Sequence, residues 1–265
     1  MMTTPARRRK GPAKATRPAA GATMAVLADG PGIGAALAVP TLASLVGIVL
    51  IGLVVLDPPR PPAPEPGTVR SPYRLDGFLP RIHVASVLLV GPQFLVWTFG
   101  LTWLIDDVGW SAGLAGLVVL GTQLGGAAAR IAAGWYSDHA GARMGPMRQI
   151  AWLAAICMLG LGVAAAGSGP WAVAAGVTLL VAASAVTVAD NGLAFTAIAE
   201  RAGPFWSGRA LGFQNTVQYA MAAAVPPLAG LVITHAGYGW AFGLAALMPL
   251  AAIATIPVAA EERIG

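Results

Sequence analysis

Apolar residues along this chain come in long runs rather than in the short periods that mark half-buried helices and strands in water. The runs fall at 33–56, 84–104, 111–135, 149–167, 171–198, 207–233 and 239–259, with short polar gaps between them. Each can cross about 30 Å of hydrocarbon at a rise of about 1.5 Å per residue. Hydrocarbon offers peptide groups no water, so a spanning segment must satisfy them as a helix or within a closed barrel. A barrel would show segments of roughly ten residues alternating apolar and polar, a pattern foreign to this sequence. The pattern therefore predicts an all-α membrane protein of about seven transmembrane helices.

Composition agrees. The 265 residues are 57% hydrophobic and 10% charged, against about 25% charged in a soluble domain. Abundant Gly and Ala suit helices packed closely in lipid, and Gly121 with Gly125 stands at the GxxxG spacing of such contacts. With 34 glycines in the chain, that spacing also arises by chance. Cys157 is the single cysteine, so no intramolecular disulfide is expected and it reads as a small residue of an apolar run.

A net charge of +5 would suggest nucleic acid in a soluble chain, but in a membrane chain basic residues report topology first. Arg60, Arg70, Arg74 and Arg81 lie at 57–83, Arg143 and Arg148 after the third run, Arg201 after the fifth and Arg263 in the C-terminal tail. Arg130 and Arg209 lie near the same side. The alternate gaps at 106–110, 167–170 and 235–238 hold no Lys or Arg. The basic gaps are expected on the cytoplasmic side, which leaves both ends of a six-helix block at 84–260 inside the cell. Six prolines within 57–66 predict an extended cytoplasmic linker at 57–83 rather than a helix. The basic residues of 1–32, among them Arg7, Arg8, Arg9 and Lys10, conflict with this scheme if 33–56 spans, because they would then lie outside. The expectation drawn is that helices preceding 33–56 are missing and that 1–32 is a disordered tail; a genuine basic tail on anionic lipid is the alternative.

The stretch 134–143 reads Gly-Trp-Tyr-Ser-Asp-His-Ala-Gly-Ala-Arg. A carboxylate at a helix end, a glycine-permitted turn and a basic residue make a charged hairpin between membrane helices. It resembles the G-x-x-x-D-x-x-G-x-R loop signature of the major facilitator superfamily, matching at Gly134, Asp138, Gly141 and Arg143 and departing at Ala142. That loop lies between the second and third helices of the family and recurs between the eighth and ninth. The linker before a six-helix block, with the loop after the block's second helix, is similar to the family's C-terminal half, and the seven runs together resemble its helices six to twelve. The stretches 190–195 and 207–216 also resemble its tenth and eleventh helices. The resemblance implies a transporter of the cell membrane that moves a small solute by alternating access. It also implies that Asp138 and Arg143 are structural and gating groups, not solute ligands.

Polar residues inside the spans are expected to mark a solute or proton path or a helix contact, because an ionised group there costs about 2.5–3.5 kcal/mol on insertion. These are Gln93 and Trp97 in the second run, Gln123 and Arg130 in the third, Asp190 and Asn191 in the fifth, and Gln214, Asn215 and Gln218 in the sixth. Ser184 and Thr187 share a helical face with Asp190 by spacings of three and four. The first, fourth and seventh runs have almost no such side chains, and in the family the equivalent helices face lipid. Asp190 and Asn191 could instead form an interhelical clasp, and Arg130 could be a snorkelling anchor. Pro92 and the pair Pro226 and Pro227 predict kinks or local unwinding.

No cofactor or metal is expected. Gly30, Gly32 and Gly34 follow no strand, so they do not read as a phosphate loop. His83, His139 and His235 lie at interfacial or loop positions without metal-ligand spacing. A retinal protein would need a buried lysine, and Lys10 and Lys14 are the only lysines. No set for nucleophilic catalysis or nucleic-acid binding is visible. The expected partners are the bilayer, a small solute and, since alternating access takes two halves, a second half-transporter or a second copy of the chain. Without one, the chain would be a half-transporter subunit with no independent transport.

Overall fold

The computed structural model describes residues 32–55 and 71–261. The readings placed on 1–31 and on the proline-rich stretch 56–70 lie outside the described residues. The helices are α1 (Ile33–Val54), α2 (Phe78–Thr102), α3 (Ala112–Ala140), α4 (Met144–Ala166), α5 (Pro170–Ala202), α6 (Ser207–Ala236), α7 (Tyr238–Ala245) and α8 (Leu247–Thr255). With α7 and α8 taken as one broken span, the described residues hold seven helical segments long and apolar enough to cross a membrane. The expected fold class is thus borne out.

The helix ends differ from the hydrophobic runs for a physical reason. Polar residues need not leave a helix where it emerges into the headgroups, so apolar runs underestimate helices. α2 begins at Phe78 rather than 84, after Gly77 at φ +71°. Pro80 lies in its first turn, where a missing N–H costs nothing, and Arg81 is exposed with its Nε donating to Thr255 O at 3.2 Å. α3 runs to Ala140 and α4 starts at Met144, so the expected polar gap shrinks to three residues and Asp138 sits in a helix rather than a loop. At the far end Ser111 caps α3, its Oγ accepting from Leu114 N at 3.3 Å.

Prolines do not unwind the helices where local unwinding was one of the expectations. Pro92 lies inside an uninterrupted α2, and Pro226 and Pro227 inside an uninterrupted α6. The interruption falls at Ala246, between α7 and α8. Pro249 has no N–H for the carbonyl of Ala245 and its ring crowds that carbonyl, which accounts for the break. A second irregularity is the wide π-turn at Trp103–Asp107 after α2, where Val108 N reaches Trp103 O at 3.1 Å.

α5 is the central helix, packed against α2, α3, α4 and α6, while α4 packs on α5, α7 and α8. One apolar cluster, with Leu79, Met147, Leu193 and Ile198, fills the basic end, and another, with Trp103, Met158, Leu180 and Phe242, fills the opposite end. Trp103 is held there by Gly176, over which its ring lies, and by an edge-to-face contact with Phe242 at 6.1 Å. α1 buries none of its apolar side chains against the other described residues.

The close helix contact is not the one the spacing suggested. A Cβ on Gly121 or Gly125 would meet nothing within 4 Å. The tight crossing instead joins α4 to α7, where a Cβ on Gly162 would lie 2.5 Å from Gly243 N and 2.8 Å from Gly239 O. Gly239 and Gly243 also stand at GxxxG spacing, so spacing alone does not tell a contact from an open face.

Candidate functional site

Helices α2, α3, α5 and α6 line an open cavity of about 410 Å³, within the roughly 300–1,000 Å³ of small-molecule sites. Its wall consists of Val90, Gln93, Phe94 and Trp97 from α2, Arg130 from α3, Asn191, Gly192 and Phe195 from α5, and Asn215, Gln218 and Tyr219 from α6. The structure thus brings together six of the nine residues singled out inside the spans: Gln93, Trp97, Arg130, Asn191, Asn215 and Gln218. Aromatic Phe94, Phe195 and Tyr219 escaped notice because, in an apolar run, they read as lipid-facing or core residues. Only their position on the wall distinguishes them.

Three of the wall amides are tied together. Asn191 Nδ2 donates to Gln93 Oε1 at 2.9 Å, and Gln218 Nε2 donates to Asn191 Oδ1 at 3.3 Å and to Ser86 Oγ at 2.8 Å. Asn191 is therefore both a clasp between α2, α5 and α6 and part of the wall. A satisfied network of this kind holds its members in one geometry. The Asn215 side chain and the two Nη groups of Arg130 make no hydrogen bond among the described residues, while Arg130 Nε donates to Val188 O at 3.4 Å. Phe94 and Trp97 meet edge to face at 5.6 Å.

The other three residues stand elsewhere. Gln123 lies beside Trp97 in a small crevice with Thr122 and Ser184, outside the cavity wall. Asp190, one residue and about 100° of helical turn from Asn191, is off the wall and 2% exposed. Its Oδ2 has no hydrogen-bond partner among the described residues. Ser184 and Thr187 do not supply one, since their hydroxyls donate back to Leu180 O and Ala183 O at 2.8 and 2.7 Å, as such side chains commonly do in apolar helices. Gln214 is fully buried and turned toward α2, where its Oε1 meets His83 Nδ1 at 2.5 Å.

His83, expected at an interfacial position, is buried against protein. It is 3% exposed, with its Nε2 at 2.9 Å from the Tyr73 hydroxyl and its ring stacked on Tyr73 and edge-on to Phe213. The early start of α2 carries it inward, which the position of the apolar run concealed.

The motif residues Asp138, Gly141 and Arg143 build a clamp at the basic end. Gly141, at φ +57°, ends α3 and turns its N–H to Asp138 O at 3.2 Å, a cap that favours glycine. Arg143 then donates to Glu200 through Nε at 2.9 Å and Nη2 at 2.8 Å, and to Asp138 through Nη1 at 3.2 Å. Hydrogen bonding to Glu200, opposed by partial burial and reinforced by Asp138, raises the guanidinium above its ordinary value, so the clamp keeps its charge. Gly134 lies mid-helix facing open space and plays no part in the turn. Arg201 pairs with Asp76 and lies over the Phe78 ring, joining α5 to the approach of α2.

Glu261, which no sequence signal marked, caps α4 from more than a hundred residues away. Its carboxylate accepts from the backbone N–H of Arg143 and, at 3.0 Å through each oxygen, from that of Met144. α4 has no acidic residue in its first turn and no side-chain cap from Arg143. Glu261→Ala is expected to cost about 1–2 kcal/mol, the sum of a lost cap and a lost charge at the helix dipole, and Glu261→Gln less. Hydrogen exchange at Arg143 and Met144 should quicken in the Ala variant; unchanged exchange and melting would remove Glu261 from this role.

The chain resembles known proteins in one consistent way. The pattern of the family described as Major Facilitator Superfamily matches residues 18–226. Two relatives, one from each of two strains of Mycobacterium tuberculosis and both described as an uncharacterized MFS-type transporter, are 45% identical over 229 residues. These cover 86% of this chain and 51% of each relative, so the chain spans about half the length of the curated relatives it matches. No solved structure matches it significantly.

Proposed function

Because the chain belongs to the major facilitator superfamily, we propose that it serves transport of a small solute across the cell membrane by alternating access, with the cavity as the solute site. The observation that carries this reading is the convergence of four helices on one cavity whose wall is polar, aromatic and singly charged. Such a wall orients a solute that would otherwise stay in water, whereas helices facing lipid need no such groups.

Asp190 is the proposed proton or cation site. An ionised carboxyl so buried would leave Oδ2 without a partner, and a bound proton or cation relieves that cost. Its place behind the wall, next in sequence to Asn191, couples its charge to the residues that meet the solute. The clamp of Asp138, Arg143 and Glu200 is the proposed gating element, because it ties α3 to α5 at the cytoplasmic end and two wall helices must move together.

Alternating access needs two halves rocking about a central site. The described helices form one wall, and a second half-transporter or a second copy of this chain is proposed to supply the other. The alternative reading is a subunit with no independent transport. Uptake by the chain expressed alone, together with its mass in a mild detergent, separates the two.

Gly192 tests the cavity. It lies on the wall, and a Cβ there would meet nothing within 4 Å. A leucine there starts from open space at its Cβ and should project into the cavity, and in the interior of α5 it should favour the helix by up to about 1 kcal/mol. The expected result is a melting temperature equal to or above that of the wild type and loss of whatever uptake the wild type supports. Wild-type uptake by a well-folded Gly192→Leu variant would mean that the solute passes elsewhere.

A further inference from the structure

The cavity wall also bears on the chemistry of its occupant, an inference that rests on the reading of the cavity as the solute site. Arg130 is the single charged residue among the lining groups, and no carboxylate shares the wall with it. Asp190 attracts it from behind the wall, but no ion pair joins them and both Nη groups are left without a partner among the described residues. A guanidinium presents two parallel N–H groups that match the two oxygens of a carboxylate. Asn215, also without a partner among the described residues and on the same wall, adds a second hydrogen-bonding group.

The remainder of the wall selects the body of the solute. Phe94, Trp97, Phe195 and Tyr219 offer aromatic surface, and the edge-to-face contact of Phe94 with Trp97 leaves ring faces for a flat apolar group. Aromatic walls can also hold cations. Here a second positive charge would share the wall with Arg130, and like charges repel. With Asp190 carrying its proton, one guanidinium balances one negative charge, so a dianion would bring an uncompensated charge into the span. We infer that the solute is an organic monoanion, a carboxylate on a planar, largely apolar body, held by Arg130 at its head and by the Phe94 and Trp97 surface along its length.

The test uses the full chain in lipid nanodiscs and three probes with one ring system: naphthoate, the neutral naphthamide and the cationic naphthylmethylammonium. Calorimetric titrations, corrected with empty nanodiscs, should rank them in that order. The expected advantage of naphthoate over the amide is about ten- to a hundredfold, the gain from a hydrogen-bonded charge pair. Arg130→Gln should erase that advantage by weakening naphthoate far more than the amide, and Gly192→Leu should abolish binding of all three. Tighter or equal binding of the ammonium, or a naphthoate preference that survives Arg130→Gln, overturns the monoanion while the cavity stands as the solute site. Binding that persists in Gly192→Leu, or no binding of any probe, overturns the cavity reading and the monoanion with it. Should Arg130→Gln fail to fold, the wild-type ranking and Gly192→Leu decide between the same outcomes.

Discussion

Asp190→Asn, expressed at the wild-type level, is expected to lose gradient-driven accumulation of solute while keeping solute exchange across the membrane. Asparagine has nearly the same shape, so the packing of α5 should survive. It cannot take up or release a proton, so a cycle that returns an unloaded, deprotonated carrier is blocked at that step. Exchange of solute on one side for solute on the other requires no such return and should continue. The geometry makes Asp190 the residue to test. It is 2% exposed, its Oδ2 lacks a partner, and the hydroxyls nearest in sequence on its face are committed to their own helix. A purely structural clasp would behave differently, since the amide could keep one hydrogen bond and accumulation would persist. Full accumulation by Asp190→Asn, measured beside a vector control, would remove this residue from the coupling mechanism.

The largest expected effect on stability is at Gly162. A Cβ there would stand 2.5 Å from Gly243 N, 2.6 Å from Gly243 Cα and 2.8 Å from Gly239 O, all of them backbone atoms. No rotamer change relieves such an overlap, so α4 and α7 must move apart. Gly162→Ala is therefore expected to cost about 1–3 kcal/mol as an overpacking change. Gly239→Ala should behave likewise, because its Cβ would meet Ala166 N and Gly162 O at 2.9 Å each. Gly243→Ala should be tolerated, since its Cβ would approach Gly162 Cα only to 3.9 Å. At Gly121 and Gly125, which face open space, alanine should be neutral or stabilise the helix by about 0.5–1 kcal/mol. Unfolding titrations of the five variants in one detergent would reveal the order; equal stability of Gly162→Ala and Gly121→Ala would refute the close crossing.

These two glycine pairs show where sequence reading stops. Both satisfy the same spacing, and each helix is apolar around most of its circumference, so no polar face tells which side meets protein. In a soluble helix the pattern of polar residues would point to the buried side. In lipid both sides are apolar, and only the packed arrangement of α4 against α7 separates contact from open face. The same ambiguity hid Phe94, Phe195 and Tyr219, and it hid the inward turn of His83 toward Tyr73 and Gln214.

What the amino-acid order determined by itself is what the bilayer demands of any chain: runs long enough to span, helices because peptide groups find no water, and a basic side marked by Arg143, Arg148 and Arg201. It also placed polar residues on particular helices, because each one there opposes insertion and so stands out from an apolar background. Only the tertiary structure decided which of them meet. It set Asn191 on the cavity and Asp190 behind it, took Gln214 away to His83, left Gln123 outside the wall, and brought Glu261 back to cap α4. Those outcomes depend on the rotation of each helix about its axis, and that rotation follows from packing between neighbours rather than from the hydrophobic runs that define the spans.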